Sequence, residues 1–289
     1  MILFIDWMAN PAIFTIPEFS IGLFHLGPKE IRWYSLAFIL GFFVFGYKIV
    51  ERMWKKENIN PNWLSSLLYY TFLGTIIGAR LGHCLFYAPN YYLANPVEVL
   101  KVWEGGLASH GGVIGIIIAI WIYSKKVTKQ SIFWTFDKLV VPTGLVAALI
   151  RLGNLMNHEI YGHPTDKPWG FRFIQNLHEW QQGAQPIFTL PCHPTQIYEA
   201  IAYLLTFGLC MWLYFKKEMY KREGFIFGVF MICIFTSRFF IEFFKNEQEA
   251  FETTMILNMG QCLSIPFVIF GIWLIIRALR RGKRNKSLS

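Results

Sequence analysis

The chain has 289 residues, 54% of them hydrophobic and 18% aromatic, with a mean hydropathy of +0.38 and a formal net charge of +9. Apolar runs this long and this numerous argue against a soluble globular domain, because a helix that crosses a bilayer needs about 20 mostly apolar residues and several such stretches fit. The basic residues gather at the ends of those stretches, which points to orientation in a membrane and away from nucleic acid.

Residues 1–32 mix polar, small and apolar positions. Phe14, Ile16, Phe19, Ile21, Leu23 and Phe24 alternate with polar or small residues and prolines, as an extended or amphipathic segment at the membrane interface does. No basic start precedes an apolar core between Met1 and Ser20, so no cleavable signal peptide is expected and the first span serves as the targeting signal. Seven spans follow: Trp33 to Ile49, Leu64 to Phe86, Leu107 to Tyr123, Phe133 to Met156, Tyr198 to Phe215, Phe225 to Phe244 and Cys262 to Ile276. The expectation is an all-α, polytopic protein forming a single integral membrane domain over 1–289. The connection 157–195 is too polar to span, and its tryptophans and phenylalanines predict an ordered loop. A basic tail occupies 277–289.

Seven spans put the two ends on opposite sides. The connections after spans one, three and five, together with the tail, carry seventeen Lys and Arg, whereas the other side carries six. Cytoplasmic segments hold the basic excess, so the amino terminus and the 157–195 loop are expected outside and the tail, to Ser289, inside. Four basic residues lie within spans. Lys138 follows Asp137, and a local ion pair or snorkelling accounts for it. Arg80, Arg151 and Arg238 all fall in the outer halves of their spans, at the depth where His110 opens span three. An intramembrane charge is costly and faces a partner or a function.

Arginine's planar fork of donors suits phosphate, so these arginines make a seat for a lipid phosphate. The alternative is that each pairs with a carboxylate: Glu242 lies four residues after Arg238, on the same helical face, and Glu159 lies eight after Arg151. His110 stands in Gly105-Gly-Leu-Ala-Ser-His-Gly-Gly-Val-Ile-Gly115 at a helix start. There it can take a proton as a general base or simply bond to a loop. Gly111, Gly112 and Gly115 allow either close ligand approach or close helix packing, and Gly74, Gly78 and Gly82, at four-residue spacing, favour packing. Arg151, Asn154 and His158 share a face at helical spacing, or Asn154 and Asn157 end the helix. In His193-Pro-Thr-Gln-Ile-Tyr198-Glu199, Thr195 reads as a helix cap with Glu199 near the first turn. The five scattered cysteines form neither a disulfide framework nor a CxxC pair. No metal-ligand spacing or nucleotide motif is present, so no cofactor is expected.

Several motifs together resemble the prolipoprotein diacylglyceryl transferase family. They are Ile31-Arg-Trp-Tyr34, Gly78-Ala-Arg80-Leu-Gly, Trp103-Glu-Gly-Gly-Leu-Ala-Ser-His110-Gly111-Gly112, Arg151-Leu-Gly-Asn154 through Glu159 to Gly162, Pro164-Thr-Asp, His193 to Glu199 with Tyr198, Arg238-Phe-Phe-Ile-Glu242, and Gly260-Gln261. They run in the family's order over most of the chain. The resemblance implies a multi-pass enzyme of the bacterial cytoplasmic (inner) membrane. Such an enzyme moves diacylglyceryl from phosphatidylglycerol to the lipobox cysteine of a prolipoprotein and releases glycerol phosphate. It implies catalytic roles for His110, Arg151 and Arg238. Substrate-binding roles fall to Tyr34, Arg80, Gly111, Gly112, Asn154, Glu159, Gly162, Tyr198 and Glu242. Three positions depart from the family's habit: Cys192 stands before the His-Pro pair, Ile234 a turn before Arg238, and Lys245-Asn-Glu-Gln where Arg-x-Pro-Asp is frequent. A transporter or flippase of an anionic lipid is the competing class. It predicts inverted repeats or paired broken helices, and neither is visible in the sequence.

Overall fold

A computed structural model describes residues 4–21, 24–102, 105–246 and 256–286. Among the described residues, seven helices are long and apolar enough to cross a membrane: α1 (Trp33–Glu57), α2 (Pro61–Phe86), α4 (Ser109–Tyr123, continued as a π turn to Thr128), α5 (Ile132–Met156), α7 (Thr195–Phe215), α8 (Phe225–Ile241, continued to Phe244) and α9 (Met259–Lys286). Two short helices, α3 (Pro89–Ala94) and α6 (Leu177–Gln181), lie in connections. The spans agree with the sequence reading, and the protein is a polytopic helical membrane protein. Leu73, Ile77, Ile114 and Ile118 are each about half exposed, an arrangement that lipid accepts and water does not. The helices reach past the apolar runs at their basic ends. Lys48–Lys56 are helical in α1, and α9 continues into the tail, because long basic side chains keep their heads in water while their stems cover apolar surface.

The chain divides into two compact units, Val50–Lys138 and the pair of segments Met1–Ile49 and Leu139–Ser289. Within Val50–Lys138, α2 starts at a capped end: the Asn60 side chain accepts from the Asn62 amide at 3.0 Å, and Pro61 fills the first helical position. α2 then packs on α4 through glycines. A Cβ on Gly78 would lie 2.4 Å from the Gly111 carbonyl oxygen, one on Gly82 2.7 Å from the Gly111 Cα, and one on Gly74 2.6 Å from the Ala119 Cβ. Without a hydrophobic drive between helices in lipid, such close backbone approach is what holds a pair together. Lys138 does not snorkel, one of the two accounts that the sequence offers for it. It is fully buried, 3.1 Å from Glu57 Oε1 and over the Trp134 ring at 3.9 Å, because α1 and α5 bring a carboxylate and an indole to it.

In the other unit, the amino-terminal segment is built of strands: β1 (Phe4–Asp6), β2 (Ala12–Ile16), β3 (Phe19–Ile21), β4 (Phe24–Leu26) and β5 (Lys29–Arg32). β2 pairs with β5 and β3 with β4, both antiparallel and nested, so residues 12–32 form a two-stranded arm. The extended form expected of this segment is there in residues 12–21 and 24–32, while residues 22 and 23 lie outside the described residues. β1 pairs in parallel with β6 (Gly170–Arg172), and Arg172 grips both oxygens of Asp6 at 2.6 and 2.7 Å. The 157–195 connection is ordered. Leu155, Phe171, Phe173 and Cys192 form its core, with Trp7, Tyr161 and Ile197 packed against them.

Candidate active site

The site residues of the larger unit are delivered by three helices and one strand-like crossing. α5 ends at Met156, and Arg151 and Asn154 stand in its last two turns. Arg151 Nε lies 2.7 Å from Glu199 Oε2 on α7, and Arg151 donates to Asn154 Oδ1 at 3.3 Å. Asn154 Nδ2 donates to Glu159 Oε1 at 2.9 Å, and Asn157 Nδ2 donates to the same oxygen at 3.1 Å. Asn154 therefore locks the turn that follows the helix. His158 does not share the Arg151 face. At φ 57° it leaves the helix, accepts from the Ile174 amide at Nδ1 (3.1 Å) and meets the Ala9 carbonyl through Nε2 (2.9 Å). Burial holds its pKa below the usual histidine value.

Glu199 is buried and receives a second cation: Lys245 Nζ donates to its Oε1 at 2.9 Å and lies 3.5 Å from Glu242 Oε2. Arg238 Nε stands 4.0 Å from that same Glu242 oxygen. The order Arg151, Glu199, Lys245, Glu242, Arg238 is thus an alternating chain of five charges. Its middle three members are 1%, 5% and 7% exposed, and its arginine ends 21% and 40%. The ends of the chain are where an anion can be met.

Glycines make the crossing possible. Gly162 bridges to Lys245, its amide donates to the His193 carbonyl and the His163 amide to the Phe244 carbonyl, both at 2.9 Å. A Cβ on Gly162 would lie 2.0 Å from the Phe244 oxygen. Gly260 in turn leaves room for Glu242, whose Cδ would be 2.5 Å from an added Cβ, and Gln261 pairs with Asn258 at the start of α9. Gly162 thus serves close backbone approach. Tyr198 accepts from Trp169 Nε1 at 2.8 Å and meets His193 Nδ1 at 3.0 Å, holding the loop to the start of α7. Tyr34 is half-buried at the start of α1, with its backbone against Gly153. Thr195 is not a cap. Pro194 holds that position, and the Thr195 hydroxyl instead donates to the Ile160 carbonyl at 2.9 Å, because the turn after α5 lies against it.

His110 and Arg80 belong to the Val50–Lys138 unit. His110 is exposed in the first turn of α4, its ring beside Phe86 and Tyr87 at 5.4 and 5.9 Å. Trp103 and Glu104 of its motif lie outside the described residues. Arg80 is buried and its donors are taken by carbonyls: Val99 at 3.0 Å, Glu98 at 2.5 Å and Gly105 at 2.6 Å. Its role in this structure is to fasten the segment before α4. Gly111 faces α2, as the packing alternative has it, whereas Gly112 meets its neighbours at ordinary distance, 3.6 Å or more.

Glu199 and Lys245 are the residues that sequence reasoning missed as parts of the site. Glu199 passed as a first-turn residue and Lys245 as one of the six outer charges. The signal for Glu199 was the one already used for the arginines, a charge inside an apolar span.

A family model described as prolipoprotein diacylglyceryl transferase matches residues 22–277. Relatives described as phosphatidylglycerol–prolipoprotein diacylglyceryl transferase are 54% identical over 288 residues in Porphyromonas gingivalis, covering 98% of each chain. In Chloroherpeton thalassium the identity is 43% over 270 residues, covering 93% of this chain and 96% of the relative. In Bacteroides fragilis it is 42% over 285 residues, covering 94% and 95%.

Proposed function

The chain belongs to the prolipoprotein diacylglyceryl transferase family, and from that premise we propose that it moves the diacylglyceryl group of phosphatidylglycerol to the lipobox cysteine thiol of a bacterial prolipoprotein. Glycerol phosphate is released, and the reaction is the first step of lipoprotein maturation. The protein is a multi-pass membrane transferase. In this reading it lies in the cytoplasmic (inner) membrane with the 157–195 loop outside and the basic tail inside.

Arg151 and Arg238 hold the lipid phosphate. The observation that carries this assignment is the five-charge chain: its carboxylates are buried with cations of their own, and the arginine side chains at its two ends are partly exposed. His110 takes the proton from the incoming thiol, whose ordinary pKa of about 8.5 leaves it mostly protonated at neutral pH. The sulfur attacks the glycerol carbon that bears the phosphate ester. The carbon–sulfur bond forms, the carbon–oxygen bond breaks, and its electron pair leaves on the phosphate oxygen. The leaving group is a phosphate monoester whose growing charge the arginines stabilise. Among the described residues no hydrogen bond engages the exposed His110 ring, which supports a role toward substrate. The protein's own thiols are not needed. Cys192 is buried, and burial pushes its thiol up, away from the thiolate.

The test is incubation of the purified protein with phosphatidylglycerol and a lipobox peptide, read by mass. The expected result is a diacylglyceryl gain on cysteine that is lost when that cysteine is Ser. Lipid movement across proteoliposomes without any adduct overturns the reading.

A further inference from the structure

We propose that Lys245 is a positioning residue of the phosphate seat: by bridging Glu199 and Glu242 it keeps the Arg238 guanidinium free for the lipid phosphate. The proposal rests on the assignment of Arg151 and Arg238 to that seat.

The two carboxylates are buried, and a buried carboxylate without a cation is strongly destabilising. Glu199 has a cation at each oxygen, Arg151 Nε 2.7 Å from Oε2 and Lys245 Nζ donating to Oε1 at 2.9 Å, and the Tyr203 hydroxyl also donates to Oε1 at 3.3 Å. Glu242 has Lys245 at 3.5 Å and Arg238 at 4.0 Å. Arg238 and Glu242 are four residues apart on one helical stretch, the spacing at which such side chains meet directly. They stay at 4.0 Å, while the Lys245 ammonium lies nearer to the same carboxylate oxygen, at 3.5 Å. Without the ammonium, Glu242 has no other partner at this distance than Arg238 among the ion pairs of the described residues, and the guanidinium closes on it.

Lys245 is fixed well enough for this task. Its amide donates to the Glu242 carbonyl at 3.2 Å, its backbone bridges Gly162, and the neighbouring Asn246 Nδ2 donates to the carbonyls of Tyr161 and Gly162 at 3.2 Å. A compact ammonium with three donors can serve two carboxylates at once.

The experiment uses the full chain in nanodiscs of known phosphatidylglycerol content, with two readouts: retention of phosphatidylglycerol measured by native mass spectrometry, and kcat and KM for transfer to a lipobox peptide. Lys245→Met is expected to weaken phosphatidylglycerol binding and raise KM by about tenfold or more, the loss expected when one charge of a buried network is deleted. Lys245→Arg, which keeps the charge, is expected to restore most of that loss. Adding Glu242→Gln to Lys245→Met removes the carboxylate that captures Arg238, and is expected to regain at least about threefold of the affinity, a coupling of the size contacting residues show. A merely structural bond predicts the opposite, a double variant no better than the single. Unchanged lipid affinity in Lys245→Met, or no recovery in the double variant, overturns the proposal. If Lys245→Met does not insert, Lys245→Gln takes its place with the same two outcomes. Absence of any peptide adduct with the wild-type chain defeats the transferase reading instead, while the binding readout still judges Lys245.

Discussion

At the scale of single residues, chemically similar side chains have different work. Arg80, Arg151 and Arg238 look alike in sequence: arginines in the outer halves of apolar spans. Their surroundings separate them. Arg80 spends its donors on backbone carbonyls, whereas Arg151 and Arg238 end a charge chain with each side chain partly exposed. Arg238→Ala is therefore expected to lower the transfer rate by about 10²-fold or more, the scale of losing one charge-stabilising group, while the protein still inserts. Arg80→Ala is expected to lower the thermal midpoint first, with specific activity preserved in the fraction that stays folded. Side-by-side rate and melting measurements check both. For His110 the prediction concerns pH. If it takes the thiol proton, His110→Gln loses about 10²–10⁴-fold in rate near neutrality, and the deficit shrinks toward pH 9, where the thiol largely ionises unaided. The same deficit at pH 6 and pH 9 would mark it as a positioning group. His158 gives a second pH dependence. Its folded pKa is lowered by burial, so the unfolded chain binds the proton first. Stability contributed by the neutral ring is full above the ordinary value of about 6.5 and falls as pH drops below it. Thermal midpoints measured from pH 7.5 to 5 are expected to fall more steeply for the wild type than for His158→Gln.

At the scale of elements, glycine decides which backbones can touch. α2 and α4 approach so closely that a Cβ on Gly78 meets a backbone oxygen at 2.4 Å. A helix backbone cannot yield as a flexible side chain does, so Gly78→Leu is expected to separate the pair at a cost above the roughly 1–3 kcal/mol typical of overpacking. Gly162 has the same character in the outer loop. Gly162→Ala is expected to part residues 162–163 from 244–245, displace Lys245 and reduce transfer along with stability. Its activity loss should track that of Lys245→Met when the two are assayed together.

At the scale of the whole molecule, the orientation proposed from charge remains a testable matter. In a cysteine-free background, Gln182→Cys is expected to react with an impermeant thiol reagent added outside intact cells and Lys217→Cys only after permeabilisation. The reverse pattern would invert the topology.

The sequence by itself determined the number and approximate positions of the spanning helices, because about twenty apolar residues in a row have one stable outcome in lipid, and it pointed to the ordered loop through its aromatic residues. Through its ordered motifs it also identified the family and Arg151, Asn154, Arg238 and Glu242 as site candidates. What it could not assign was which polar group answers which. His158 lies at helical spacing from Arg151 yet turns away, since the helix ends two residues earlier. Glu199 and Lys245, 46 positions apart, share one hydrogen bond of 2.9 Å. Pairings of that kind are set by the packing of α5, α7 and α8 and by the close crossing at Gly162. Only the tertiary structure decided them, because a buried charge takes the partner that the fold brings within 3 Å, and sequence spacing carries no record of that distance.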